Sequence, residues 1–300
     1  MGDRIVIQRN PTSGSGRGAQ QLKILIADLR QAGFRVRLFA SRERMDAFLQ
    51  DDQVRSEVHC LVAAGGDGTV ASVAQRHPEF PVAVMPLGTE NLVARHLRIP
   101  KCGRTASAVI RNGRTQVYDT AFVNDQRFLL MTSVGMDGDV VRRLSTIRSG
   151  NISHLSYARP MLSSLLKYDF PIVSVYGDDG ELLAQGTHVI VTNIPEYGFR
   201  MQFSPNASPH DGQLDVRVFH GTGTFSTLMH MIRTRLGMSD RAGEVTRLTR
   251  ASVELRSATD APVQLDGDPA GSCPVRVRIE PASMTLMVRS DGNDMRGSCG

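Results

Sequence analysis

The sequence predicts an α/β fold: a doubly wound parallel sheet over residues 1–117, followed by a β-rich second half over residues 118–284. Three observations carry this. Short apolar runs alternate with helical patterns through the first part, which is the order of a parallel sheet wrapped by helices. Glycine-bearing loops follow those apolar runs. Beyond residue 115 the spacing shortens, and turn signals such as Asp178-Asp179-Gly180 separate runs of strand character.

Taken in order, Arg4–Arg9 reads as a strand, and Asn10–Gly18 as a turn-rich loop. Gln20–Gln31 has helical apolar spacing stopped at Gly33. Phe34–Ala40 alternates as a second strand, and Arg42–Asp51 reads as one helix. His59–Ala64 and Pro81–Met85 are apolar runs of the kind buried on both faces of a parallel sheet, with a helix over Thr69–Gln75 between them. In the second half, strands are expected at Tyr118–Val123, Arg127–Val134, Ile172–Tyr176, Glu181–Ala184, His188–Thr192, Leu214–Phe219, Ser252–Arg256, Pro262–Leu265, Val275–Ile279 and Thr285–Val288. Two helices, Leu155–Lys167 and Phe225–Leu236, interrupt them.

Composition narrows the function. A chain of 300 residues, 41% hydrophobic and 22% charged, can bury a core. No run of about 18 apolar residues offers a membrane-spanning helix. The N-terminus enters its first strand without a charged-then-apolar leader, so a cytoplasmic protein is expected. Cys60, Cys102, Cys273 and Cys299 are widely spaced, which argues against a disulfide framework or zinc cluster. The net charge of +5 suits an anionic partner, a nucleotide or an acidic lipid surface, and equally follows from arginine-rich coding. Aromatic residues are 5% with no tryptophan, so no nucleic acid is expected as partner.

Gly65-Gly66-Asp67-Gly68-Thr69 lies between a buried strand and a helix. Glycines there let backbone N–H groups approach a polyphosphate, and the helix N-terminus adds partial positive charge. Asp67 would sit beside phosphate-bound Mg²⁺, or else cap a helix at an ordinary tight turn. Thr89 and Asn91, in Pro86-Leu87-Gly88-Thr89-Glu90-Asn91, follow the next strand, and Asn10 and Ser13 follow the first. Three such loops at the carboxyl ends of three strands would meet at one crevice.

These segments, with Val134-Gly135-Met136-Asp137, Asn193-Ile194-Pro195-Glu196-Tyr197-Gly198, Ser204-Pro205-Asn206-Ala207, Asp211-Gly212-Gln213-Leu214-Asp215 and Leu265-Asp266-Gly267-Asp268, resemble the diacylglycerol kinase and sphingosine kinase superfamily over nearly the whole chain. Its bacterial diacylglycerol-kinase-like members are the nearest in pattern. The resemblance implies a nucleotide-binding domain and a β-sandwich-like lipid-acceptor domain, with the active site in a cleft between them. It further implies that residues of about 285–300 return to the first domain. The reaction implied is transfer of the ATP γ-phosphoryl group to a lipid hydroxyl with Mg²⁺, in phospholipid metabolism.

By that resemblance, Asn10, Ser13, Gly65, Gly66, Asp67, Gly68, Thr69, Thr89 and Asn91 hold ATP, and Asp67 supports the metal–phosphate network. Asp266 matches a general base acting on the lipid hydroxyl, the alternative being a hairpin turn residue, and Asp268 stands where the family has glutamate. The physical need is independent of the family, since phosphoryl transfer asks for positioning, charge neutralisation and a proton acceptor. Asp137 would line the acceptor pocket. Asp211 and Asp215 match a structural Mg²⁺ site, the alternative being a solvated turn. One departure is Ser72, where the family carries a glutamate.

The expected activity is thus a lipid kinase, with diacylglycerol the leading acceptor and peripheral contact with anionic membrane. The alternatives are a soluble-substrate kinase of the NAD kinase type and a catalytically weak lipid- or nucleotide-binding homologue. The two long helices of the second half either touch a membrane or pack on a sheet. The residues do not specify an oligomeric state, and a homodimer stays open.

Overall fold

The computed structural model describes residues 2–11, 13, 17–146, 168–198, 201–221, 223–238 and 243–290. The chain forms two compact units, one of Met1–Tyr118 with Ala282–Gly300, the other of Asp119–Pro281.

The first unit is built on a parallel sheet in the order β2-β1-β3-β4-β16. Its strands are β1 (Arg4–Arg9), β2 (Arg35–Phe39), β3 (Val58–Gly65), β4 (Val82–Pro86) and the end of β16 (Val275–Val288). The central strands are apolar because both faces are covered: Ile5–Ile7, Leu61–Ala64 and Val82–Met85 are all buried. Helices α1 (Arg17–Gln31), α2 (Arg42–Phe48), α3 (Asp52–Glu57), α4 (Asp67–Arg76), α5 (Leu92–His96) and α6 (Gly103–Asn112) connect and cover them. Gly103 opens α6 against α1, where a Cβ would stand 2.1 Å from the Gln21 carbonyl oxygen. The helix expected over Arg42–Asp51 is α2, which ends at Phe48. Asp51 belongs to the next helix, because its carboxylate accepts the N–H groups of Gln53 and Val54 and so starts α3.

The second unit is a sandwich of antiparallel sheets. One has the order β12-β11-β10-β7-β14-β15, from β7 (Met131–Val134), β10 (His188–Thr192), β11 (Leu214–Phe219), β12 (Val245–Arg250), β14 (Pro262–Leu265) and β15 (Asp268–Ser272). The other pairs the first half of β16 with β13 (Ser252–Ser257), then β8 (Val173–Tyr176) and β9 (Leu182–Gly186). A hairpin of β5 (Arg114–Val123) and β6 (Gln126–Phe128) completes it. Inward side chains of both sheets, among them Phe128, Val134, Val175, Val191, Val216, Leu255, Val263 and Val277, form one apolar core. Helices α7 (Met136–Thr146) and α8 (Thr224–Arg235) belong to this unit.

The single strand expected over Arg127–Val134 is two, β6 and β7, in different sheets. The chain changes sheet at Leu129-Leu130, whose N–H groups turn to the Asp266 carboxylate. Helix α7 was not expected. It is held by Asp139, buried and paired with Arg142 at 2.9 Å and Arg143 at 2.6 Å. Val275–Ile279 and Thr285–Val288 are one continuous strand. The helix expected at Leu155–Lys167 lies outside the described residues. Cys60 and Cys273 are free thiols, but Cys102 is disulfide-bonded, a single bridge that the wide cysteine spacing did not suggest. Among the described residues no helix is long and apolar enough to cross a membrane.

Candidate active site

In the first unit, three loops are stitched together at the carboxyl ends of β1, β3 and β4. The Asn10 N–H donates to the Ala64 carbonyl at 3.0 Å, and Ser13 N–H to the Asn10 carbonyl at 3.1 Å. The Gly65 carbonyl accepts Leu87 N–H at 2.8 Å and Gly88 N–H at 3.3 Å. Glycine is needed at this meeting point for room. A Cβ on Gly88 would stand 2.7 Å from Gly66 Cα, and one on Gly65 would stand 2.1 Å from Thr69 Oγ1.

Gly66 caps α4 without a side chain that could occupy the first-turn amides. A ten-residue helix beginning there presents partial positive charge at the loop. Thr69 is buried in that first turn, whereas Gly68 and Thr89 are exposed. Asn91, held at φ 51°, folds its amide back on its own turn. Its Oδ1 accepts Gly88 N–H at 2.8 Å, and its Nδ2 donates to the Gly88 carbonyl at 2.7 Å. The Asn91 side chain thus shapes the loop.

Asp67 heads α4, and its carboxylate reaches α5. Oδ2 accepts Leu92 N–H at 3.0 Å, and Oδ1 accepts Val93 N–H at 2.9 Å. Burial pushes the Asp67 carboxyl above its ordinary value, while the Val93 and Leu92 amides act the other way. The structure also brings in a cation that sequence reasoning missed. Lys101 Nζ donates to the Gly88 carbonyl at 2.5 Å and the Thr89 carbonyl at 3.3 Å. Its rarity was the available sign, since the chain has only Lys23, Lys101 and Lys167. Ser72 sits half-buried on α4.

In the second unit, Asp266 holds the tip of the β14–β15 hairpin at φ 49°. Its Oδ1 accepts the N–H groups of Leu130 at 2.9 Å and Met131 at 3.0 Å, and its Oδ2 that of Leu129 at 2.8 Å. Both oxygens are therefore committed to backbone amides. Asp268, two residues on, is exposed at the start of β15. Gln264 lies beneath the turn, its Oε1 accepting Gly267 N–H at 2.8 Å and its Nε2 donating to Ser133 Oγ at 2.7 Å.

That chain of polar contacts runs on to Asp137, in the first turn of α7. Ser133 Oγ and Tyr197 OH both donate to Asp137 Oδ2, the latter at 2.9 Å, and Gly138 N–H donates to Oδ1 at 2.8 Å. His188 Nε2 stands 3.4 Å from Oδ1. Two buried polar atoms beside this carboxylate, His188 Nε2 and Tyr168 OH, have no hydrogen-bond partner among the described residues. The Tyr168 hydroxyl is pushed up by burial first, then by the charges of Asp137 and Asp139.

Asp211 and Asp215 flank the turn into β11. Asp211 Oδ1 accepts Gln213 N–H at 3.0 Å, and the amide of Gly212, at φ 69°, donates to Asp119. Burial, then the nearby Asp211 charge, raises the Asp215 carboxyl, with Arg217 opposing. No set of three or more His, Cys, Asp or Glu side chains forms a metal-ligating group among the described residues. A cation here would rest on these two carboxylates with carbonyls and water.

Comparison with known proteins matches the chain in two consecutive segments. A family model described as the diacylglycerol kinase catalytic domain matches residues 4–123, and one described as the YegS C-terminal NAD kinase beta sandwich-like domain matches residues 131–288. The chain is 26% identical over 293 residues to a Pectobacterium atrosepticum protein named probable lipid kinase YegS-like, covering 93% of this chain and 96% of that protein. It is 25% identical over 294 residues to a Mycobacterium tuberculosis protein named diacylglycerol kinase, covering 95% and 94%. It also matches an uncharacterized Synechocystis protein at 25% identity, spanning 75% of this chain but 54% of that protein. In fold it is similar to the crystal structure of a diacylglycerol kinase from Bacillus anthracis, with TM-score 0.70 at 21% identity, covering 96% of this chain and 97% of that one.

Proposed function

The chain belongs to the diacylglycerol kinase-like family of lipid kinases, and on that premise we propose that it transfers the γ-phosphoryl group of ATP to the hydroxyl of a lipid alcohol, diacylglycerol first. The observation that carries this reading is the approach of Gly66 to Gly88, which leaves backbone rather than side chain at the head of α4.

That cradle fits a polyphosphate, because a Cβ at Gly88 would fill it and the α4 N-terminus favours negative charge. Mg²⁺-bound ATP supplies the transferable phosphoryl group. Gly65, Gly66, Gly68, Thr69, Asn10, Ser13 and Thr89 bind the nucleotide, with Asn91 and Lys101 shaping the Thr89 loop. Asp67 fixes α5, and its charge would be set against the metal that the phosphates carry.

The acceptor belongs to the second unit. Asp266 gives both oxygens to three amides and so positions the turn, while Asp268, exposed on the same turn, takes the proton of the lipid hydroxyl. Aspartate in place of glutamate shortens the reach by one methylene. The Asp137 cluster, with its two unsatisfied polar atoms, orients a hydroxyl or ester of the head group. Asp211 and Asp215 hold a structural Mg²⁺, and the protein visits anionic membrane from the cytoplasm.

The test offers labelled ATP and Mg²⁺ with diacylglycerol micelles, a total lipid extract and NAD in parallel. Label in diacylglycerol, or in another lipid of the extract, supports the reading. Label in NAD with none in any lipid overturns it.

A further inference from the structure

We propose that the outward face of α8 is the surface by which the protein docks on an anionic lipid bilayer. This rests on the lipid-kinase reading for its purpose but not for its evidence. Four of the eight exposed large hydrophobic residues among the described residues lie on one short segment: Phe225 at 76%, Ile232 at 41%, Leu236 at 67% and Met238 at 55% exposed.

Spacing puts three of them, Phe225, Ile232 and Leu236, on one face, and Met238 follows the end of the helix. At about 100° per residue, positions 225, 229, 232 and 236 fall within roughly 60° of one another around a helix. Met229 in that row is half-buried. A separate row faces the protein. His230 is buried with its ring 5.1 Å from that of Phe219, and Arg233 pairs with Glu244 at 2.8 Å just before β12. The helix is therefore anchored along one side while it presents Phe225, Ile232 and Leu236 to water. Contiguous exposed apolar surface of this kind marks a contact site in a soluble protein.

Charge selects the occupant. Among described residues, positions 223–250 hold Arg233, Arg235, Arg247 and Arg250 against Glu244 alone. Arg235 is exposed on the flank of the apolar row, and Arg247 and Arg250 are exposed on β12, the end strand of its sheet. Apolar side chains bordered by arginine suit the boundary between acyl chains and anionic head groups. A second copy of the chain fits less well, because symmetric pairing of this face brings arginine against arginine.

The experiment measures flotation of the full chain with vesicles of phosphatidylcholine, alone or with one third phosphatidylglycerol. It is paired with phosphorylation of diacylglycerol in neutral detergent micelles. The wild type is expected to float with the anionic vesicles, less so as salt rises. The double variant Phe225→Ser, Leu236→Ser is expected to bind about tenfold or more weakly. Arg235→Glu should weaken binding and flatten its salt dependence. All three should phosphorylate micellar diacylglycerol alike.

Equal flotation of wild type and double variant overturns the proposal. So does a wild type that binds no vesicle yet phosphorylates micellar diacylglycerol, which leaves the kinase reading standing. Vesicle binding lost in the double variant, with no lipid phosphorylated by either protein, supports the docking face and overturns the kinase reading instead. A double variant that turns from dimer to monomer by sedimentation while floating normally overturns the proposal in favour of a second copy.

Discussion

Asp67 Oδ1 accepts the main-chain N–H of Val93 at 2.9 Å, so the carboxylate at the head of α4 fixes the first turn of α5. Its Oδ2 does the same for Leu92. An asparagine offers one acceptor where the carboxylate offers two, and it has no charge to set against a metal. Asp67→Asn is expected to fold, with a loss of about 1–3 kcal/mol for the amide left without a partner. It should lose most of its kinase activity. Circular dichroism melting alongside turnover checks both; normal turnover would remove Asp67 from the nucleotide site.

Asp266 and Asp268 should separate stability from chemistry. Asp266 serves three amides, so Asp266→Asn should lower the melting temperature and reduce activity through the displaced turn. Asp268→Asn should leave melting unchanged and lower kcat by about 10²-fold or more, with binding of a fluorescent ATP analogue preserved. If Asp268→Asn turns over normally, the proton acceptor lies elsewhere.

The Gly66–Gly88 approach predicts that Gly88→Ala raises KM for ATP more than it lowers kcat. The added methyl would stand 2.7 Å from Gly66 Cα, so the two loops must part. Such overpacking costs about 1–3 kcal/mol. Gly18→Ala, whose Cβ would meet only Leu87 Cδ2 at 3.5 Å, is the control and should leave KM near the wild-type value.

Asp215 predicts a pH dependence with a definite sign. Its folded value is raised above the ordinary 3.8, chiefly by burial and then by Asp211. The folded state therefore holds this proton more tightly than the unfolded state. The contribution to stability is full below the ordinary value and is lost as pH rises through the raised folded one. Without divalent cation, Asp215→Asn should melt higher than wild type at neutral pH, with the difference vanishing in acid. Added Mg²⁺ should raise the wild-type melting temperature and leave Asp215→Asn unchanged. Equal gains in both proteins would return the pair to a solvated turn.

The sequence announced what side chains and spacing carry. His59–Ala64 read as a buried strand because both of its faces are covered, and β3 spans Val58–Gly65. The glycines after it read as a close-approach turn, which the Gly66–Gly88 contact requires. Helix α7 stayed hidden because Met136-Asp137-Gly138-Asp139 has the composition of a turn. Its stabilisers are the Asp139 pairs, and Gly138 is there for a different reason: a Cβ would stand 2.3 Å from the Pro262 carbonyl oxygen. Strand β15 carries Pro269 and Gly271, residues that suit only an edge, and it is the end strand of its sheet. The partners of Asp67 and Asp266 could not be read at all. Both carboxylates bind main-chain N–H groups, which every residue but proline possesses and none advertises.

Strand β16 has a consequence for how the chain is made. Its later part lies parallel beside β4, with Leu286 opposite Val82, and this pairing closes the first unit's sheet. In order of synthesis that segment follows the whole of the second unit. On the ribosome, β4 therefore waits as a bare edge, apolar, paired to β3 on one side and with the hydrogen-bonding groups of its other side unpaired, until residues 282–288 emerge. The first unit to be translated is the last to be completed. A nascent chain halted before residue 282 exposes a strand that invites a wrong partner, and chaperone demand during translation should fall sharply once that point is passed.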